Sequence, residues 1–95
     1  MAGNIYGSRS FGPADPTALN SSTATAIAAI RPNRYGALVQ NTDSSITVYV
    51  GNTGVTSSTG TPIVAGGSLY FPTFAALYAI SASGTPSVTV TEFFS

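Results

Sequence analysis

Six side chains carry all the ionic chemistry of this 95-residue chain: Arg9, Arg31, Arg34, Asp15, Asp43 and Glu92. Their charges sum to zero. General acid–base catalysis draws mainly on His, Asp, Glu, Lys, Tyr or Cys, and His, Lys and Cys are all missing. A glycosidase-type dyad needs two carboxylates flanking one bond. Asp15 falls in a Gly/Pro-rich N-terminal stretch, Asp43 in a polar turn and Glu92 near a strand end. Those positions do not point to convergence. Serine is abundant, but no His or Lys is present to take its proton. Zinc has no His or Cys to hold it. No glycine loop followed by lysine and no calcium-loop spacing occurs, and Gly51-Asn52-Thr53-Gly54 reads as a turn. The expectation is a protein that is not an enzyme and uses no cofactor and no metal.

The remaining polar residues suggest contacts rather than reactions. Arg31 and Arg34 bracket Pro32-Asn33 between two expected strands. One reading is a surface turn paired with Asp43 or Glu92, each exposed pair being worth about 0–1 kcal/mol. The other is an arginine buried at a subunit contact and forked onto a carboxylate. Glu92 continues the face of Val88 and Val90, so it must emerge at the strand end or be paired, because an unpaired buried carboxylate is costly. Tyr35, Tyr49, Tyr70 and Tyr78 fall in or beside expected strands. They read as core edge or interface with the hydroxyl in water, or as a platform of rings for a sugar. Phe93 and Phe94 are adjacent in a strand and point to opposite faces, so one of them is expected to face a neighbour. Asn20-Ser21-Ser22 has sequon spacing. However, Met1-Ala2-Gly3-Asn4-Ile5-Tyr6 has neither the basic region nor the apolar core of a secretory signal. Synthesis in a cytosol, without export by the usual route, is expected.

The elements that must position these residues divide at about residue 23. Residues 1–22 contain Gly3, Gly7, Gly12, Pro13 and Pro16 without periodicity and read as an extended N-terminal arm. Ile5, Tyr6, Phe11 and Leu19 are its isolated apolar points. Such an arm is either a frayed tail or a strap laid over a neighbouring subunit, with Tyr6 and Phe11 as anchors. Residues 23–95 alternate β-branched or aromatic runs with Gly, Pro, Asn and Ser clusters, the pattern of a sandwich or barrel. The expected strands are Thr25–Arg31, Tyr35–Gln40, Ile46–Val50, a brief Val55-Thr56, Pro62–Val64 as an edge, Leu69–Phe71, Leu77–Ala82 and Ser87–Phe93. Asn41–Ser45 reads as a compact polar turn, and Ser83-Gly84-Thr85-Pro86 as a hairpin turn. The fold class is therefore all-β: a small antiparallel β-sandwich or jelly-roll-like barrel with an extended N-terminal arm.

Composition adds a constraint on partners. Charged residues are 6% of the chain, against about 25% in ordinary soluble domains. Charge repulsion would do little to keep such monomers apart, and interface cores are depleted in charge. A domain this small often needs a disulfide, a metal or a partner. Cysteine and metal ligands are absent, so oligomerisation or docking remains. Three arginines without lysine cannot neutralise a phosphate backbone, so no nucleic-acid partner is expected. No apolar run approaches the roughly 20 residues of a membrane span.

The order of segments also carries a resemblance. Arg34-Tyr35-Gly36-Ala37-Leu38-Val39-Gln40-Asn41 is followed by Val48-Tyr49-Val50-Gly51, then Val55-Thr56, Gly60-Thr61-Pro62-Ile63 and Gly67-Ser68. Leu77-Tyr78-Ala79-Ile80-Ser81 and Val88-Thr89-Val90-Thr91-Glu92 come later. This resembles the small β-sandwich virion proteins of tailed bacteriophages: capsid decoration (cement) proteins, head fibres and tail-adhesion modules. The resemblance covers residues 31–92 and rests on strand-and-turn patterns. It implies a capsid-surface protein made in the host cytoplasm, homotrimeric and bound to the major capsid protein of the shell. One domain plus an arm favours a decoration protein over a complete fibre. Alternatives are a receptor- or glycan-binding module that recognises a host surface glycan, and a tail or connector component. Candidate assembly contacts are Ile5, Tyr6 and Phe11 on the arm, Arg31 and Arg34, and Phe93 and Phe94.

Overall fold

The computed structural model describes residues 16–94. Eight strands follow in order: β1 (Thr17–Ala18), β2 (Thr25–Ala28), β3 (Arg34–Asn41), β4 (Val48–Gly51), β5 (Thr61–Ile63), β6 (Ser68–Phe71), β7 (Leu77–Ser81) and β8 (Ser87–Phe94). They form two antiparallel sheets, ordered β1-β8-β3-β6 and β2-β7-β4-β5. Only β4 and β5 are consecutive strands of one sheet. Every other connection passes from one sheet to the other. That path is the jelly roll, the double-sheet solution for eight antiparallel strands.

Alternation builds the core. In β3, Ala37, Val39 and Asn41 are buried, while Leu38 and Gln40 point the other way. Val48 and Val50 of β4 point inward around a half-buried Tyr49. Leu19, Ala28, Ile63, Leu77, Ala79 and Val88 complete the cluster. These are small or aliphatic side chains, and no tyrosine or phenylalanine among the described residues is fully buried. Asn41 is one of the buried polar residues, with Arg34 and Ser81. Its Nδ2 donates to the Ile46 and Ile63 carbonyls at 2.8 and 3.0 Å, which ties the end of β3 to the opposite sheet.

Three expectations are corrected. Ser83–Pro86 is not a hairpin turn, because β7 and β8 belong to different sheets. The segment crosses the sandwich, with Gly84 at φ 62° and Pro86 accepting the Leu19 N–H at 2.8 Å. Val55-Thr56 is not a strand. Val55 is a buried anchor inside the β4–β5 connection, whose turns are closed by Val55 N–H to the Asn52 carbonyl and Thr56 N–H to Thr59 Oγ1. Finally, the sandwich begins before residue 23: Thr17 and Ala18 pair with Val88 and Ser87, and Leu19 is only 1% exposed. Residues 1–15 of the expected arm, with Ile5, Tyr6 and Phe11, lie outside the described residues.

Leu19→Ala tests this placement. A buried Leu-to-Ala change costs about 2–5 kcal/mol, whereas the same change on a loose arm costs almost nothing. Urea unfolding of the variant is expected to show the larger loss with an unchanged m-value.

Candidate functional site

Arg34 opens β3 and is the largest fully buried side chain of the fold. Its Nε donates to the Thr73 carbonyl at 3.0 Å. One Nη donates to the Ala29 carbonyl and to Glu92 Oε1, both at 3.0 Å. The other Nη donates to the Ala75 carbonyl. Ala29 lies in the β2–β3 connection, and Thr73 and Ala75 lie in the β6–β7 connection. One planar guanidinium thus bolts two loops and β8 together, the use for which arginine's rigid donor fork suits it better than lysine. Arg31 adds a second pair to the same Oε1 at 3.0 Å, but its side chain is 50% exposed against 0% for Arg34. The two arginine readings are therefore divided between the two residues. Arg31 is the exposed pair; Arg34 is the buried one, and its partners are carbonyls and a carboxylate of its own chain.

The loops gripped by Arg34 carry exposed apolar tips. Ile30 is 61% and Phe74 54% exposed, and the Arg31 N–H donates to the Phe74 carbonyl at 3.0 Å. Tyr35 follows directly on β3 at a bulge opposite Phe94 and Phe93, and it too is exposed. From there the outer face of the β1-β8-β3-β6 sheet is aromatic. Phe93 contacts Tyr35 with ring centroids 6.2 Å apart and meets Tyr70 edge-on at 5.9 Å. Tyr70 lies across Gly36, where an added Cβ would stand 1.9 Å from its hydroxyl oxygen. The glycine is the recess that lets the ring lie flat on the sheet. Leu38, Thr91, Gln40 and Thr89 extend the face along the ladder. Among the described residues no charged side chain occupies it, because Arg34 and Glu92 turn inward.

Of the proposed contacts, Phe93 joins this face, and Phe94 points to the opposite side of the strand. Both are half-buried. Ile30 and Phe74 were missed: Ile30 fell inside the expected strand Thr25–Arg31, whereas β2 ends at Ala28, and Phe74 stands two residues beyond Pro72. Of the carboxylates, Asp43 caps the β3–β4 turn and Glu92 closes the arginine cluster, so these two stay apart, and Asp15 lies outside the described residues. Asp43 accepts the N–H groups of Ser45 and Ile46 at 2.9 and 2.8 Å. Those bonds hold its carboxyl below the ordinary carboxylate value. Among the described residues, no three His, Cys, Asp or Glu side chains come together, and no helix is long and apolar enough to cross a membrane.

The chain matches no protein-family model, no curated protein and no solved structure. The fold and surface define its class: a jelly-roll sandwich with an aliphatic core and an uncharged aromatic face.

Two outcomes test this geometry. Arg34→Met is expected to cost about 3–5 kcal/mol, because it leaves three carbonyls without their donor and Glu92 with only the exposed Arg31, while Arg31→Ala costs about 1 kcal/mol or less. Denaturant unfolding of both variants reads the contrast. Because folding lowers the Asp43 pKa, its contribution is fully present above the ordinary carboxylate range near pH 4. It is lost as pH falls through the folded value. Asp43→Asn should flatten that part of the stability–pH curve.

Proposed function

We propose that this chain is a bacteriophage virion structural protein, a capsid decoration (cement) protein that binds and stabilises the assembled shell as an oligomer. The supporting observation is where the aromatic side chains lie. A free-standing domain gains most by placing Phe and Tyr inside, since they bury the largest areas. Here the interior is Val, Ala, Leu and Ile, and Tyr35, Tyr70, Phe74 and Phe93 remain on or near the surface. Aromatic enrichment with charge depletion is the composition of an interface core. The jelly roll recurs in viral capsid domains, and the segment order resembles that of small phage virion proteins. Each contact is weak, and repetition over a shell multiplies it. The expected partners are copies of itself, as a homotrimer, and the major capsid protein, with the protein located on the virion surface.

A second reading is a receptor- or glycan-binding module of a tail or head fibre. The exposed rings of Tyr35 and Tyr70 favour it, and jelly rolls also recur in lectin domains.

Particles assembled without this protein should burst at lower temperature and regain stability when it is added back. Tyr35→Ser/Tyr70→Ser should abolish the rescue while costing the fold about 1–3 kcal/mol, for the two ring contacts to Phe93 that it removes. Unaltered particle stability sinks the decoration role. Binding of the isolated protein to host envelope polysaccharide, with few copies at a tail or fibre tip, would establish the second reading instead.

A further inference from the structure

Arg34 holds the carbonyls on both sides of Phe74, those of Thr73 and Ala75, and the Arg31 N–H takes the carbonyl of Phe74 itself. The backbone of Thr73-Phe74-Ala75 is thus tied at every carbonyl, yet the ring between the ties is more than half exposed. The β2–β3 connection is fixed in the same way. The Ala29 carbonyl is bound by Arg34, and the Arg34 N–H donates to the Arg31 carbonyl at 3.0 Å. Pro32 fills the second position of that four-residue turn, where its ring presets φ. Ile30, between Ala29 and Arg31, is nonetheless exposed. Two large apolar side chains therefore stand in water on backbone that is held on either side. Anchors that are rigid before contact lose little entropy on binding.

Arg31 stands beside both. It commits only its Nε to Glu92. Among the described residues nothing accepts from its two Nη groups, and half of the side chain is exposed. The Nη pair is the end-on fork of the guanidinium, which matches the two oxygens of a carboxylate. The charge count agrees. Arg31 and Arg34 share a single Glu92 oxygen, so two cations meet one anion, and a positive charge is left over in the cluster. The described part of the chain offers a poor complement for it. Glu92 is taken, and Asp43 is half-buried and held by the Ser45 and Ile46 N–H groups in the turn at the other end of β3. One surplus cation is too little for a phosphate backbone, and a neutral glycan brings no charge to meet it.

We propose that Ile30, Arg31 and Phe74 form a docking tip for an acidic–apolar segment of a different protein. One Glu or Asp carboxylate of the partner binds the Arg31 Nη fork, and an apolar neighbour in the same segment covers Ile30 and Phe74. This rests on the reading that the chain works by docking, and it deepens that reading by stating what the shell protein presents at the contact.

NMR titration of the full chain with the peptide acetyl-Leu-Glu-Phe-amide reads the tip directly. The Arg31 Nε–H and the Ile30 and Phe74 amides should shift together along one saturable curve. The peptide acetyl-Leu-Gln-Phe-amide should bind about tenfold more weakly, for the charge-assisted pair it cannot make. Arg31→Gln should erase the preference for Glu over Gln, and Arg31→Lys, which keeps the charge without the fork, should retain only part of it. Phe74→Ser should weaken both peptides alike. The Val39 and Val48 amides of each variant should exchange as in the parent, which separates lost docking from a lost fold. No saturable shift, equal affinity for the two peptides, shifts that map away from the tip, or a preference that survives Arg31→Gln each overturn the proposal. Shells assembled without this protein separate the two readings. If they bind the parent and Arg31→Gln equally well, the tip is wrong and the decoration role stands. A chain that shows the peptide preference yet leaves shells unbound keeps the tip and overturns the decoration role alone.

Discussion

The fold depends on one buried guanidinium. Two connections, β2–β3 and β6–β7, meet at the same end of the sandwich, and each leaves carbonyls without a strand partner. Arg34 donates to Ala29, Thr73 and Ala75 and shares a further donor with Glu92. Carbonyls taken partly out of water need donors, and in a chain without lysine or histidine few side chains can supply several at once. An isolated buried charge would be prohibitive. Here the carboxylate of β8 balances it, and Arg31 closes the cluster from the solvent side. Among the described residues, Arg34 and Glu92 are thus spent on an internal tie.

That allocation shapes what the surface can do. With Arg34 and Glu92 turned inward and Asp43 engaged in its own turn, the outer face of the β1-β8-β3-β6 sheet has, among the described residues, apolar, hydroxyl and amide groups but no charge to offer. The interior between the two sheets is filled by Ala, Val, Leu and Ile, and the most exposed rings lie outside it. Tyr70 lies flat because Gly36 has no side chain, and Phe93 stands between Tyr35 and Tyr70. Such a surface gains from being covered.

Period-two alternation made most strands legible, because each buries one face. Ile63 and Leu77 fall where that pattern puts them, and β5 is an edge strand as Pro62 requires. Local turn chemistry was less informative. Ser83-Gly84-Thr85-Pro86 has the composition of a hairpin, yet it spans two sheets, because Gly and Pro specify a reversal without saying in which plane. Val55 looked like a strand residue because it is β-branched; its burial inside a loop depends on neighbours brought by the fold. Leu19, alone among polar residues, carried no periodic signal at all and is still a core residue.

The amino-acid sequence by itself settled the all-β class, the period of the strands and the scarcity of charge, because these are properties of residue types and their local spacing. The parity of Phe93 and Phe94 followed from the same local geometry. Tertiary structure alone decided that Arg34 is buried while Arg31 is exposed, that both converge on Glu92, and that Tyr35, Tyr70 and Phe93 gather on one face. Those outcomes hang on contacts between residues dozens of positions apart. They are set by which strands become neighbours, and pairing across a sheet is chosen by the packing of the whole chain rather than by any short stretch of it.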